Sequence, residues 1–380
     1  MKILGIETSC DETAASVVQD GRVLLSNVIH SQIDIHAQYG GVVPEVAARS
    51  HIEVINPVIN KALTDANLTW DDIDGIAVTY APGLIGSLMV GTLAARTLAV
   101  LKNKPLYPVH HVEAHVYANF LTKVVDGDWN VKDGKKILDN FPSKQPAFPF
   151  LALIASGNHT QLVLFRGHGD YELLGKTQDD AVGEAFDKVA KIIGLPYPGG
   201  PSIAKAALDG DPHAYTLPKA KMAGSYDFSF SGLKTAVLRA VQREVGVELT
   251  FPSHKLAELL DDVTRANFAA SFQYTAVETL VDAAEKAFRE YAPTTVVIAG
   301  GVAANQELRK TLSKRLPIAI EYAPMQLCTD NGAMVATLGY YYAQKNAPAD
   351  PYVVEAIPVL SMTKTAWSDS GQTHQTNVSA

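Results

Sequence analysis

Two histidines one helical turn apart, His111 and His115 in the run VHHVEAHV, stand far upstream of Asp330 in the run LCTDNGAM. Residues four apart on a helix share a face, so both imidazoles of an HxxxH pair can converge on one cation. A third ligand must come from elsewhere in the chain. Asp330 is the candidate, at the start of a helix expected from Thr329 onward. Two imidazoles and one carboxylate suit a divalent metal with open coordination positions. A histidine pair on a half-apolar helix also serves for plain packing, so the reading depends on what brings the three side chains together.

Other residues could do chemistry nearby. Asp11 and Glu12 close the first strand at a turn. By themselves they are turn formers. In a two-lobed nucleotide-binding fold, that turn would point into the cleft, where carboxylates could hold a water or a reacting group. Asp187 in EAFDK and Lys234 in SGLKT either line such a cleft or pair on helix surfaces. Cys10 and Cys328 flank the motif segments and could ligate a metal, though they read better as small buried hydrophobes.

Four glycine-bearing turns, at 82–86, 156–160, 198–201 and 300–305, follow strands or open helices. Exposed backbone N–H groups at such turns bind anions, and glycine lets the backbone approach closely. None fits GxxxxGK[ST], nor GxGxxG after a first strand. They point to a phosphate cradle built from main chain rather than to a lysine-bearing P-loop.

The elements that must position these residues alternate. Strands are expected at 2–8, 13–19, 23–29 and 73–79, with a helix from Pro44 to about Ala66 that turns His51, Val54, Ile55 and Ile59 inward. The apolar stretch 84–101 contains Gly86, Gly91, Thr92 and Arg96 and reads as a buried small-residue helix, not a membrane span. A similar succession restarts near Phe150, with strands at 150–155, 161–166 and 171–176. Helices follow at 180–193, 202–209, 231–245 and 255–291, and a strand at 295–299 leads into GGVAAN. Two duplicated α/β lobes around a central cleft are the expected fold. The first lobe spans 1–121, completed by a helix at about 329–345, and the second spans 148–328. Residues 122–147 read as an inserted surface loop or hairpin, and 361–380 as a disordered tail.

The bulk properties agree with two ordinary domains: 380 residues, 47% hydrophobic and 19% charged. Two cysteines make no disulfide framework, and the start lacks a signal-peptide pattern, so a reducing cytoplasm is expected. A net charge of −8 argues against a molecule coated in positive potential. The basic runs holding Lys219, Lys221, Lys234, Arg239 and Arg243, and Arg309, Lys310, Lys314 and Arg315, read as solvated faces. Any RNA must be held by these patches or by a partner.

Taken together, GIETSCDETAASVV, GGVVPEVAARSHIEVI, APGLIGSLMVG, HHVEAH, SGNHTQL, DDAVGEAFDKVAKIIGLPYPGGP, FSFSGLKTAV, GGVAANQELR and CTDNGAM resemble the tRNA N6-adenosine threonylcarbamoyltransferases of the bacterial TsaD type, in order over nearly all of residues 1–340. The resemblance implies actin-like, sugar-kinase-like lobes. It implies transfer of a threonylcarbamoyl group from threonylcarbamoyl-AMP to N6 of the adenosine 3′ of the anticodon, in tRNAs reading codons that begin with A. Carried over by position, His111, His115 and Asp330 match the ligands of a metal, usually Fe2+, with Zn2+ or Mg2+ as alternatives. Ile154, Ala155, Ser156, Gly157, Asn158, Asp187, Gly200 and Asn305 match contacts to the adenylate, and Asp11 and Glu12 match acidic positions near the reacting end. Implied partners are tRNA, a degenerate paralogue of the TsaB type and a small ATPase of the TsaE type, with no membrane.

Three departures stand out. Asn158 replaces the second glycine of SGGHT, which puts any strained turn there in doubt. Ala81 stands where glycine is common before PGL, and the 122–147 insertion is longer than usual. Two rival readings differ in kind. A zinc protease would need HExxH, and here Glu113 lies about 200° round the helix from His111. A small-molecule kinase of the same fold would need a γ-phosphate site and an acceptor pocket. A third, a catalytically silent scaffold, is disfavoured by the intact ligand set.

Overall fold

The computed structural model describes residues 1–132 and 135–362, so the tail expected at 361–380 lies outside the described residues except for Ser361 and Met362. The first lobe begins with β1 (Lys2–Glu7), β2 (Glu12–Gln19) and β3 (Val23–Ser31). A short helix α1 (Ile33–Ala37) and the long α2 (Pro44–Asp65) follow. Next come β4 (Gly75–Ala81), α3 (Ile85–Lys102), β5 (Leu106–His110) and α4 (His111–Tyr117). The expected insertion contributes β6 (Lys123–Val124) and the hairpin strands β7 (Val131–Lys132) and β8 (Lys135–Lys136).

The second lobe repeats the plan with β9 (Phe150–Ala155), β10 (Thr160–Gly167) and β11 (Asp170–Lys176). Its helices are α5 (Val182–Ile193), α6 (Gly199–Ala206), α7 (Ser231–Glu244) and α8 (Asp262–Tyr291). The strand β12 (Thr295–Ala299), helix α9 (Gln306–Arg315), strand β13 (Ile320–Tyr322) and helix α10 (Gly332–Lys345) complete the set.

The two sheets run β5-β4-β1-β2-β3-β6 and β11-β10-β9-β12-β13. In each, three antiparallel strands come first in sequence, and two parallel strands then extend the sheet from the founding one, β4 and β5 beyond β1, and β12 and β13 beyond β9. The duplicated α/β plan thus holds. β1 and β9 are buried almost throughout because both faces of each sheet are covered.

Three apolar cores follow from this layering. One packs α2 and α3 on the outer face of the first sheet, through Ile55, Val58, Ile59 and Ala95. A second fills the far side of the second lobe around Phe186, Phe268 and Phe272. The third lies between the sheets, where α4 and α10 meet Ile3 and Ala77 on one side and Phe150, Ala152 and Ile154 on the other. Close approach makes this sandwich possible. A Cβ on Gly5 would sit 2.2 Å from the Gly332 carbonyl oxygen, and one on Gly339 would sit 2.3 Å from Ala77 Cβ.

Several boundaries differ from expectation for physical reasons. β5 and β13 were not foreseen: both are short edge strands, and β5 carries Pro108. The helix expected from 255 is a 3-10 turn at Ser253–Leu259 followed by α8, which starts where Asp261 accepts the Thr264 N–H at 2.7 Å. The helix expected from Thr329 starts at Gly332, because Asn331 caps it by accepting from Met334 N–H. The helix expected at 202–209 starts earlier, at Gly199. On α2, Val54 is half-buried, while His51, Ile55 and Ile59 are inward as expected.

α3 is not buried all round. Ser87, Leu88, Gly91, Thr92, Ala95 and Ala99 face inward, whereas Ile85, Met89, Leu93, Val100 and Leu101 are exposed. It is long and apolar enough to cross a membrane, but it packs against β4 and α2. The insertion is tied down: β6 pairs with β3, and Gln145 donates to the Phe120 carbonyl and the Tyr341 hydroxyl.

Candidate metal centre and main-chain cradle

His110, which ends β5, is also the N-cap of α4, so His111 and His115 lie one turn apart on a helix buried between the sheets. Asp330 sits just ahead of the Asn331 cap of α10, which packs against α4. Their donor atoms, one from each of the three side chains, all fall within 4.8 Å of one another. His111 Nε2 is 3.7 Å and His115 Nε2 is 3.2 Å from Asp330 Oδ1. The imidazoles meet edge to face, with centroids 4.7 Å apart.

The donor set fits a divalent cation. Both histidines are buried, and among the described residues neither ring nitrogen of His115 finds a hydrogen-bond partner, although Nε2 approaches the carboxylate. Buried polar atoms normally find partners, so an unpartnered Nε2 beside a carboxylate is what a ligand position leaves behind. Burial alone would raise Asp330, but the His111 and His115 charges hold its carboxyl down at about 2.

Sequence reasoning missed the groups behind His111. Glu7, at the end of β1, is fully buried, with its Oε2 3.2 Å from His111 Nδ1. Thr79 Oγ1 donates to the same oxygen at 2.6 Å, and the Ser9 N–H donates to Oε1. Ser9 Oγ is 3.0 Å from His111 Nδ1. The available signal was a lone charge ending the apolar run KILGI. His159 of SGNHT was missed as well. Its ring lies 6.4 Å from that of His111, its buried Nδ1 has no partner, and burial with the nearby histidine charges lowers it to about 3.

The acidic turn is held from behind. The Cys10 carbonyl accepts from His51 Nε2 at 3.0 Å and Ser87 Oγ at 3.2 Å, and the Asp11 carbonyl accepts from the Gln32 N–H at 3.1 Å. Burial, then the Asp11 and Asp330 charges, push Glu12 well above the usual carboxylate range. Burial also raises Asp187, against the Gly199 N–H it accepts at 2.7 Å, and Asp11 and Glu184 add to the rise. Glu12 therefore feels the Asp330 charge, while the Asp11 charge reaches Asp187 of the second lobe.

Two of the four glycine turns, at 156–160 and 300–305, meet directly, and the 198–201 turn packs on Phe186 and Asp187 of α5, the helix whose first turn meets Ser156. The Ser156 and Gly157 carbonyls accept from the Gly183 and Glu184 N–H groups, each at 3.1 Å, and a Cβ on Gly183 would meet the Ser156 oxygen at 2.5 Å. Gly300, at φ +86, packs beside Ala155 and Ser156, because β9 and β12 are parallel neighbours with Ile154 opposite Ala299. Gly157 and Gly200 face open space, with nothing within 4 Å of a Cβ built on either. Ile154 and Ala155 are buried at the end of β9. The fourth turn does not join them: Gly83 packs on Ser9 and donates to the Pro358 carbonyl.

Asn305 is engaged in the fold, capping α9 through Leu308 N–H at 3.0 Å and donating to Gln273 Oε1 at 2.8 Å. Neither Gly157 nor Asn158 has positive φ, so the asparagine at 158 costs no strain. Ala81 fits a fully buried strand end. Lys234 pairs with Asp180 at 3.2 Å, the surface alternative. Lys219 and Arg315 are likewise engaged with Glu278 and Asp282. Glu113 faces Tyr342 and Tyr171, away from the two histidines. Cys10 is half-buried and Cys328 buried, and neither joins the ligand cluster.

The chain matches the family model TsaD: tRNA N6-adenosine threonylcarbamoyltransferase over residues 23–127 and 137–337. The chain belongs to that family. A curated relative from Thermomicrobium roseum with the same name is 52% identical over 357 residues, 92% of this chain and 94% of its own. Another, from Symbiobacterium thermophilum, is 49% identical over 363 residues, 95% of this chain and 96% of its own. Among solved structures, T. kodakarensis HypF aligns with a TM-score of 0.55 at 15% identity, covering 90% of this chain and 48% of HypF, a likeness of fold alone. The family makes this chain a transferase whose substrate is tRNA.

Proposed function

We propose that the enzyme transfers the threonylcarbamoyl group of threonylcarbamoyl-AMP to N6 of the adenosine 3′ of the anticodon, in tRNAs reading codons that begin with A, and releases AMP. The observation carrying this reading is the convergence of His111, His115 and Asp330 within 4.8 Å, beside the 156–160 turn, whose His159 ring lies 6.4 Å from that of His111. The three side chains hold one divalent cation, Fe2+ in this reading, with Zn2+ or Mg2+ as alternatives. When bound, the cation supplies a positive charge that orients and polarises the carbamoyl end.

The remaining work belongs to the chain. The exocyclic amine of adenine is a poor nucleophile, since its lone pair is delocalised into the ring, so positioning dominates. Backbone groups at Ile154, Ala155, Ser156, Gly157 and Asn158, with Gly200, hold the AMP half, and the phosphate lies against N–H groups that offset charge on the leaving oxygen. Asp187 anchors the Gly199–Gly200 turn through Gly199 N–H, and Asn305 supports the GGVAAN turn. Asp11 or Glu12 accepts the amine proton or orders a water.

The two lobes, 1–121 with the 329–345 helix and 148–328, form the walls of the cleft. The exposed row Ile85, Met89 and Leu93 on α3 supports a docking face for the degenerate TsaB-type paralogue. A TsaE-type ATPase completes the set, in the cytoplasm and with no membrane. The test is mass spectrometry of nucleosides from tRNA incubated with this protein, its partners, threonine, bicarbonate and ATP. Absence of the modified adenosine with wild-type protein, all partners being active, would refute the reading.

A further inference from the structure

Glu7 is a carboxylate with no exposed surface, and among the described residues no lysine or arginine pairs with it. Burying an ion is costly unless a countercharge and hydrogen bonds compensate. Its hydrogen bonds come from Thr79 Oγ1, the Ser9 N–H and His111 Nδ1, and the sole ring among them is the one whose far nitrogen faces Asp330. We infer that Glu7 is the positioning residue of the metal centre: it holds the proton of His111 on Nδ1, which leaves the Nε2 lone pair aimed at the cation. The inference rests on the metal reading above.

The chemistry is specific. A neutral imidazole carries one N–H, and the hydrogen bond that one nitrogen makes decides which nitrogen is free to ligate. A carboxylate only accepts, so opposite Glu7 the Nδ1 must be the donor. An amide in its place can donate, which permits the other tautomer and puts a proton on the ligating nitrogen. Thr79 pins one carboxylate oxygen and the Ser9 amide the other, so the carboxylate cannot rotate away. This arrangement spans β1, β4 and α4, and it links the strand preceding the acidic turn to the ligand helix.

The experiment is Co2+ and Zn2+ binding to the full-length protein by competition with a chelator, with the Co2+ absorption spectrum and a metal-free melting curve. Glu7→Gln is expected to leave the metal-free protein folded, with a melt altered only by loss of the His111–Glu7 charge pair, and to weaken binding about 10- to 100-fold, with a shifted Co2+ spectrum. Thr79→Val, which leaves the carboxylate but removes its 2.6 Å donor, is expected to weaken binding several-fold. A folded Glu7→Gln protein with wild-type affinity and spectrum overturns the inference and leaves the metal reading standing. Should Glu7→Gln fail to fold, Thr79→Val decides alone, and unchanged affinity there also overturns it. Wild-type protein that binds neither ion overturns both.

Discussion

His115 Nε2 lies 3.2 Å from Asp330 Oδ1, which joins a short helix between the sheets to the head of the last helix. Replacing any of His111, His115 or Asp330 with Ala should remove metal and reduce tRNA modification on the order of 100-fold or more. The fold should persist, since each change only truncates a side chain of the polar cluster where α4 meets the head of α10. Elemental analysis and nucleoside mass spectrometry on the purified variants check this. Full activity in metal-free His111→Ala would end the metal role.

The metal-free protein has a pH signature. Burial lowers the His111 pKa, but the Asp330 and Glu7 carboxylates outweigh it and raise it to about 9, from 6.5. A raised histidine pKa stabilises fully below the unfolded value and loses that contribution as pH rises through the folded one. Melting temperature in chelator should therefore fall as pH climbs from 6.5 to about 9. Over the same window metal affinity should rise, because the cation displaces that proton, and about one proton should be released per ion bound near neutral pH. Calorimetry in buffers of different ionisation enthalpy measures this. A flat profile contradicts it.

The glycines of the cradle should divide by function. Gly157→Ala and Gly200→Ala put a methyl into open space, so stability should change by less than about 0.5 kcal/mol. Adenylate binding should weaken roughly tenfold, or about 1.4 kcal/mol, as the methyl occupies the substrate's place. Gly183→Ala, driven into Ser156 and Gly157, should destabilise the fold itself. Asn158→Gly should leave activity within about twofold and cost stability of about 0.4–1 kcal/mol, since no positive φ is needed there. Melting curves with and without a non-hydrolysable adenylate separate these outcomes.

Gly5→Ala tests how the centre is assembled. Its methyl would strike the backbone of Gly332 and Ala336, so α10 must shift off β1. The expected cost is about 3 kcal/mol or more, with weaker metal binding because Asp330 moves with α10. Denaturant unfolding and chelator competition read both effects. Wild-type stability would show that the contact relaxes freely.

The α3 row predicts a partner effect with no folding effect. Met89→Asp with Leu93→Asp alters two exposed side chains, so the isolated protein should melt as wild type does. Co-elution with the paralogue and paralogue-dependent tRNA modification should be lost. Retained co-elution would move the docking face elsewhere.

Local chemistry was legible in the order of residues. Helical spacing put His111 and His115 on one face, and the alternation of apolar runs with glycine turns exposed both lobes and their duplication. Side-chain caps at Asp261 and Asn331 are local too, yet they set helix starts at Asp262 and Gly332, later than the 255 and 329 expected, because a cap competes with helical periodicity. Tertiary structure alone decided the rest. β5 and β13 are short edge strands whose pairing is specified by a neighbour distant in sequence, and so they leave little local pattern. The turn at 82–86 resembles the other three in composition, but packing on Ser9 removes it from the cradle. Glu7 reads as an ordinary strand end until the fold buries it behind His111. Asp330 reaches the histidines because Gly5 and Gly339 let α10 settle on β1 and β4, a contact that depends on backbone approach and that side-chain periodicity does not encode.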